Sequence, residues 1–174
     1  MSESPLIQFY RGDGTDHAGR HLDEILAWPD THLEAVHDYV QWLFPLAAPS
    51  RFNPDAPCLT PDDIGHFRVG GLCRKNFQRS FKRMLAFYGL EYDDTDSEDV
   101  YVDPTLLFEV RSRVWLTPNN NNYLRITRIL NSAQLLGFRP YALGLFDFLH
   151  RHYREAGGRI GNEPYAYWRK AVGR

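Results

Sequence analysis

From Asn121 to Gly137 the chain reads as one helix that is apolar around most of its circumference. Leu124, Ile126, Ile129, Leu130, Leu135 and Leu136 leave little of its surface for water. The same helix carries Arg125 and Arg128, three positions apart and therefore on one side. Other elements must enclose such a helix. Its arginines must pair with carboxylates, run along a wet seam or face a ligand. Three further stretches repeat apolar residues at helical spacing: Leu33, Val36, Val40, Leu43 and Phe44; Phe77, Phe81, Met84, Leu85 and Tyr88; Tyr141, Leu145, Phe148, Leu149 and Tyr153. No strand-like alternation stands between turn signals. The expected fold is all-α, an irregular or orthogonal bundle of about seven helices, with residues 1–174 as a single domain.

Local punctuation sets the expected boundaries. Gly12, Gly14 and Gly19 break any period in residues 1–19, which read as irregular. A short helix through Leu22, Ile25 and Leu26 runs to Trp28-Pro29. Thr31 and Glu34 fit a capping box for a helix that Pro45 stops. Four prolines, at 45, 49, 54 and 57, imply an extended loop. Thr60-Pro61 opens the next helix, Gly70-Gly71 kinks or breaks it, and Gly89 caps its continuation. Residues 91–103 read as an acidic solvated loop. Asp103-Pro104 opens a helix through Leu107, Val110 and Val114, closed by Thr117-Pro118. Asn121 and Asn122 cap the arginine helix. Pro140 starts another, with Gly157-Gly158 behind it, and Pro164–Ala171 forms a last turn or two.

Composition excludes several classes. Aromatic residues make up 14%, too many for a disordered chain. A formal net charge of -2 removes the bulk-charge argument for a dedicated DNA binder, leaving only local basic patches. Cys58 and Cys73 are too few for a disulfide framework. No apolar run reaches the length of a membrane span, which leaves peripheral membrane association open. The first residues, Met1-Ser2-Glu3-Ser4-Pro5, lack the pattern of a secretory signal. The expectation is a soluble, reduced, cytoplasmic protein.

Three segments carry a family resemblance: His37-Asp38-Tyr39-Val40-Gln41-Trp42-Leu43-Phe44-Pro45, Met84-Leu85-Ala86-Phe87-Tyr88-Gly89, and Asn122-Tyr123-Leu124-Arg125-Ile126-Thr127-Arg128-Ile129-Leu130. Gln8-Phe9-Tyr10-Arg11 fits as well. In order and spacing they resemble the conserved N-terminal region of the opioid growth factor receptor family, over about residues 6–155. The resemblance implies a binding protein. Animal members are described as receptors for the pentapeptide Met-enkephalin, associated with the nucleus or its envelope and with restraint of growth. Nuclear association is expected on this analogy alone. The resemblance brings no catalytic residues, and the chain is expected to represent the conserved region by itself.

The residues allow several sites. Arg125 and Arg128 suit a phosphate or carboxylate, because guanidinium forks hold planar anions bidentately. Pairing with Glu109, Asp147 or Glu34 would instead fix helix to helix. Gln41 would read a ligand amide or satisfy the backbone of the proline-rich loop, beside Trp42, whose indole needs an acceptor. With Asn121 these form the expected ligand site: Gln41, Trp42, Asn121, Arg125 and Arg128, in a cleft between the 32–44 and 122–136 helices. The alternative is a nucleic-acid or phosphate site on the basic face Arg74, Lys75, Arg79, Lys82 and Arg83, with solvation or internal pairing as its bland counterpart. His17 and His21 have the spacing of metal ligands, but Gly19 argues against a helix there. His150 and His152 read as surface residues. Cys73 sits near a helix start, where exposure would make it reactive and packing would not. The chain carries no nucleophile elbow, phosphate loop or zinc-protease motif, so the expectation is a non-enzymatic module without metal or cofactor, an unrecognised enzyme being a third reading. Its expected partner is a peptide or protein, and its oligomeric state stays open.

Overall fold

Ser4 starts the first helix. Its hydroxyl accepts the Ile7 N–H, and Pro5 occupies the first helical position, where its missing N–H costs nothing. The resulting α1 (Pro5–Arg11) buries Leu6, Ile7, Phe9 and Tyr10. It overturns the irregular reading of residues 1–19, because Gly12 at φ 89° ends this helix rather than preventing it. The structure is a computed structural model that describes residues 2–155 and 158–174. Gly157 therefore lies outside the described residues.

The other elements follow in order: α2 (Leu22–Leu26), α3 (Asp30–Ala35), α4 (Val40–Leu43), α5 (Pro61–Arg68), α6 (Leu72–Tyr88), β1 (Leu90–Asp93), β2 (Tyr101–Pro104), α7 (Phe108–Trp115), α8 (Asn122–Leu135), α9 (Arg139–Glu155) and α10 (Asn162–Val172). The fold is mostly α. Among the described residues there are ten helices rather than about seven, the surplus being short ones. The expected helix through residues 31–44 is two. Val36 is extended, with φ -97° and ψ 137°, and Tyr39 turns back to donate its hydroxyl to the Leu33 carbonyl at 2.8 Å. Thr31 is not the cap of α3, which begins behind Pro29. The Thr60 box does form, with Asp63 closing it, and Gly70 and Gly71 both take positive φ between α5 and α6.

The acidic stretch is not all loop. Residues 90–104 form an antiparallel hairpin that pairs Leu90 with Pro104 and Tyr92 with Val102. Leu90 and Val102 are buried while Glu91 and Asp103 face water, so one face of the hairpin is covered and the other is solvated.

The chain divides into two compact units, residues 1–83 and 84–174, with the division inside α6. The first is held by edge-to-face aromatic pairs. Tyr10 meets Phe67 at 4.8 Å, and Phe77 meets Phe44 at 5.7 Å, contacts worth about 0.5–1.5 kcal/mol each beyond their buried area. Tyr10 also donates its hydroxyl to the Leu43 carbonyl, and its own carbonyl accepts the Asn76 amide at 2.6 Å. In the second unit Trp115 is fully buried, donates its indole N–H to the Tyr88 carbonyl at 3.0 Å and meets the Tyr88 ring at 5.2 Å. There α8, α9 and α10 pack on one another, and α9 also packs on β2.

Candidate functional site

Gln41 and Trp42 sit in α4, one turn of helix whose four residues are all buried. The Trp42 indole N–H donates to His17 Nδ1 at 3.0 Å, and the two rings stack at 17°. With Nδ1 accepting, the ring proton sits on Nε2, 3.1 Å from Asp38 Oδ2. The other Asp38 oxygen accepts Arg20 Nη2 at 2.9 Å. Arg20 Nε donates to Asp16 Oδ2 at 2.7 Å. Burial alone would raise the Asp38 pKa. The bond and charge of Arg20, with the His17 hydrogen bond, outweigh it and hold the carboxyl below its usual range. This string of Trp42, His17, Asp38, Arg20 and Asp16 closes the loop after α1 onto α4. The lone pair of His17 is occupied by the indole, so this His–Asp pair offers no free base. The indole's need for an acceptor pointed to such a partner, but not to His17, which lies 25 residues away. His21 instead places Nδ1 3.1 Å from the Gly14 carbonyl.

Gln41 does not serve the proline-rich loop. Its Oε1 is buried and makes no hydrogen bond. The loop is tied instead by Asn53 Nδ2 donating to the Asp38 carbonyl at 3.0 Å and by the Leu59 N–H donating to the Leu46 carbonyl. Replacing a buried unsatisfied amide by an apolar chain of similar shape is stabilising. Gln41→Met should therefore gain about 1 kcal/mol, read as a higher urea midpoint at unchanged m-value. A lower midpoint would show that the amide is needed.

In the second unit, Asn121 has helical backbone angles and its side chain makes no cap bond. Asn120 caps α8 instead. Its Oδ1 accepts the Asn122 N–H at 2.9 Å, while its Nδ2 donates to the Val114 carbonyl. Arg125 is only 7% exposed, Arg128 is half-buried, and both are engaged by neighbouring groups. Of the carboxylates considered for them, Glu109 pairs with Arg113 and Asp147 with Arg174, each at 2.9 Å. Gln41 and Trp42 belong to the first unit, Arg125 and Arg128 to the second.

The basic face of α6 is partly consumed within its own unit. Arg83 donates to the Leu26 and Trp28 carbonyls and pairs with Asp30 at 2.9 Å. Arg79 pairs with Asp23 at 2.8 Å and bonds Asn76. Lys75 and Lys82 remain exposed, and Arg74 is half-buried. Cys73 is buried, which pushes its thiol up to about 11 despite its place at the start of α6; Cys58 is exposed, and both are free. His150 and His152 are half-buried rather than surface residues. His150 bonds the Tyr165 hydroxyl, and His152 stacks on Phe148, where burial lowers its pKa.

Two of the grooves among the described residues could take a ligand, and none of the five expected site residues lines either. One, of about 580 Å³, lies in the first unit between residues 2–4 and α5, with Glu3, Asp62 and His66 on its walls. The other, of about 440 Å³, lies in the second unit between β2 and α9. Its strand wall brings Asp99, Tyr101 and Asp103, and its helix wall Leu143, Asp147 and Arg151, with Arg174 at one side. Arg151 Nη2 donates to the Val102 carbonyl at 3.3 Å. Arg174 holds Asp147 at 2.9 Å, both about half exposed. The walls approach so closely at Gly144 that a Cβ there would stand 2.3 Å from the Val100 oxygen.

Residues 3–156 match the family described as the opioid growth factor receptor (OGFr) conserved region. The chain belongs to the opioid growth factor receptor family. It is 32% identical over 150 residues to the human opioid growth factor receptor, covering 84% of this chain and 22% of that protein. It is 35% identical over 130 residues to the mouse receptor, covering 73% of this chain and 20% of the mouse protein. Against opioid growth factor receptor-like protein 1 of Xenopus tropicalis it is 37% identical over 134 residues, covering 74% and 25%. The chain thus spans about a quarter or less of the length of these relatives. No solved structure matches it. Among the described residues no helix is long and apolar enough to cross a membrane. The family's conserved region holds both walls of the groove between β2 and α9, while Arg174 lies beyond it.

Proposed function

We propose that the chain is a non-catalytic recognition module of the opioid growth factor receptor family and that the groove between β2 and α9 seats a short peptide with free ends. The observation that supports this reading is the pairing of charges in that groove. Arg151 on the helix wall and Arg174 at one side bring positive charge to a groove whose strand wall carries Asp99 and Asp103 around Tyr101, with Leu143 on the helix wall. A zwitterionic peptide needs this pattern. Its carboxylate displaces Asp147 from the half-exposed Arg174, its ammonium meets an aspartate, and an aromatic side chain lies on Tyr101. The volume of about 440 Å³ falls in the range of small-ligand sites. The relatives are named as receptors of an opioid growth factor, and a peptide of that class is the first candidate here. On this reading Arg125 orders α8, and the protein works inside the cell, where Cys58 and Cys73 stay reduced.

Calorimetry with Tyr-Gly-Gly-Phe-Met tests the proposal. Binding should weaken at least tenfold when the peptide is C-terminally amidated or when Arg174→Gln is introduced, a half-exposed position that leaves the fold intact. Equal affinity for the free and amidated peptides, or no binding at all, overturns it. Phosphate binding on α6 is less favoured, since Arg79 and Arg83 are already paired.

A further inference from the structure

The groove between β2 and α9 holds more acid than base. Asp99, Asp103 and Asp147 bring carboxylates to it, against the guanidiniums of Arg151 and Arg174. Asp147 lies three positions beyond Gly144 on α9 and Arg151 four further on, so the three share one face of the helix. Arg151 is turned to the backbone. Its Nη2 donates to the Val102 carbonyl at 3.3 Å, and its Nε to the Asp147 carbonyl at 3.4 Å. The Asp147 carboxylate is held by Arg174 at 2.9 Å, with the two side chains 57% and 51% exposed. The cation at the side of the groove is thus already taken by an acid of this chain.

That prior pairing has a consequence for what the groove accepts, and it rests on the peptide reading above. A terminal carboxylate that takes Arg174 turns Asp147 out. One ion pair replaces another, and the released carboxylate is left close to the incoming one. Two like charges so placed oppose binding unless a cation arrives with the ligand. The groove does not supply that cation, because its strand wall carries Asp99 and Asp103 and Arg151 is bonded to carbonyls. We infer that the groove selects peptides whose last residue is lysine or arginine, and that Asp147 reads it. The terminal carboxylate sits on Arg174, and the basic side chain of the same residue takes the released Asp147. The flexible stem of such a side chain lets its charge reach a carboxylate beside its own terminus. A neutral last residue leaves Asp147 without a partner, and an acidic one adds a third like charge.

Calorimetry at low salt with Tyr-Gly-Gly-Phe-Lys and Tyr-Gly-Gly-Phe-norleucine tests this, since the two peptides match in side-chain length and differ in one charge. The lysine peptide should bind about fivefold more tightly, the size of a half-exposed ion pair, and the gap should narrow as salt is added. Asp147→Asn, at an exposed position, should leave the circular dichroism spectrum unchanged. It should tighten the norleucine peptide about threefold by freeing Arg174, and cut the lysine preference to about twofold or less. Asp147→Glu should keep the preference. Equal binding of the two peptides to the unaltered protein overturns the inference. So does a preference that survives Asp147→Asn, which would assign it to the strand wall. If the norleucine peptide tightens in Asp147→Asn while the unaltered protein shows no preference, the Arg174 seat stands and the selection for a basic end falls alone. Binding of neither peptide removes the seat as well.

Discussion

Gly144→Ala should lower the melting temperature by about 6–12 °C, although the same change in an open helix raises it. Alanine is favoured over glycine inside a helix by about 1 kcal/mol. Gly144 lies within α9, where that gain applies, but its added methyl would stand 2.3 Å from the Val100 carbonyl oxygen and 3.1 Å from the carbonyl carbon. Both are backbone atoms just ahead of β2, which β1 holds in register, so no flexible side chain can yield. Helix and hairpin must separate. We expect a net loss of about 3 kcal/mol, in the range of overpacking a filled site. Peptide binding should fall with it, since the contact sets the width of the groove. Gly65 in α5 is the matched control: nothing lies within 4 Å of its would-be methyl and its φ is not positive, so Gly65→Ala should gain about 0.5–1 kcal/mol. Thermal unfolding of the two variants should move in opposite directions. If both rise, the close approach of α9 to the hairpin is wrong.

Trp168→Ala should destabilise the chain by about 3–5 kcal/mol, the cost of emptying a large aromatic site. Trp168 is fully buried although α10 begins beyond the matched conserved region, which ends at residue 156. Its indole N–H donates to the Tyr123 carbonyl at 3.3 Å, and its ring meets that of Tyr123 at 5.7 Å. Val172 is buried one turn later, and Tyr165 stacks on Tyr153 at 3.9 Å. Thus α10 covers the arginine helix α8 and the end of α9. Trp168→Phe, which keeps most of the volume but loses the N–H, should cost about 1–2 kcal/mol. Urea unfolding of the two variants measures both. A loss below about 1 kcal/mol for the alanine variant would mean that α10 is a dispensable appendage, contrary to its burial.

Signals confined to a few consecutive residues are legible in the sequence alone. Thr60-Pro61 with Asp63 is a cap because hydroxyl, ring and carboxylate act within one turn, and the break at Gly70-Gly71 is likewise local. The stripe of Phe77, Phe81 and Tyr88 is readable because helical periodicity is local too, and the strings around Trp42, Tyr88 and Arg125 carry the family. Where a rule needs a backbone angle, it misplaces the residue. Asn121 is helical, so Asn120 makes the cap; Val36 is extended, so the helix through residues 31–44 breaks.

Partners distant in sequence are legible only in the fold. Trp42 needs an acceptor, but only packing decides that it is His17. Leu90-Glu91-Tyr92-Asp93 does alternate, but over only four residues of an acidic stretch, and pairing with Tyr101–Pro104 beside α9 makes it a hairpin. Arginines 79 and 83 look like a phosphate seat until α2, the turn after it and the start of α3 fold against them with Asp23, Asp30 and the Leu26 and Trp28 carbonyls. The groove between β2 and α9 arises in the same way, from elements about 40 residues apart whose approach depends on one missing side chain at Gly144. Helical period and capping act within a turn and are written in neighbouring residues. A charged group's partner depends on which segments hydrophobic burial brings together, and that is a property of the whole chain.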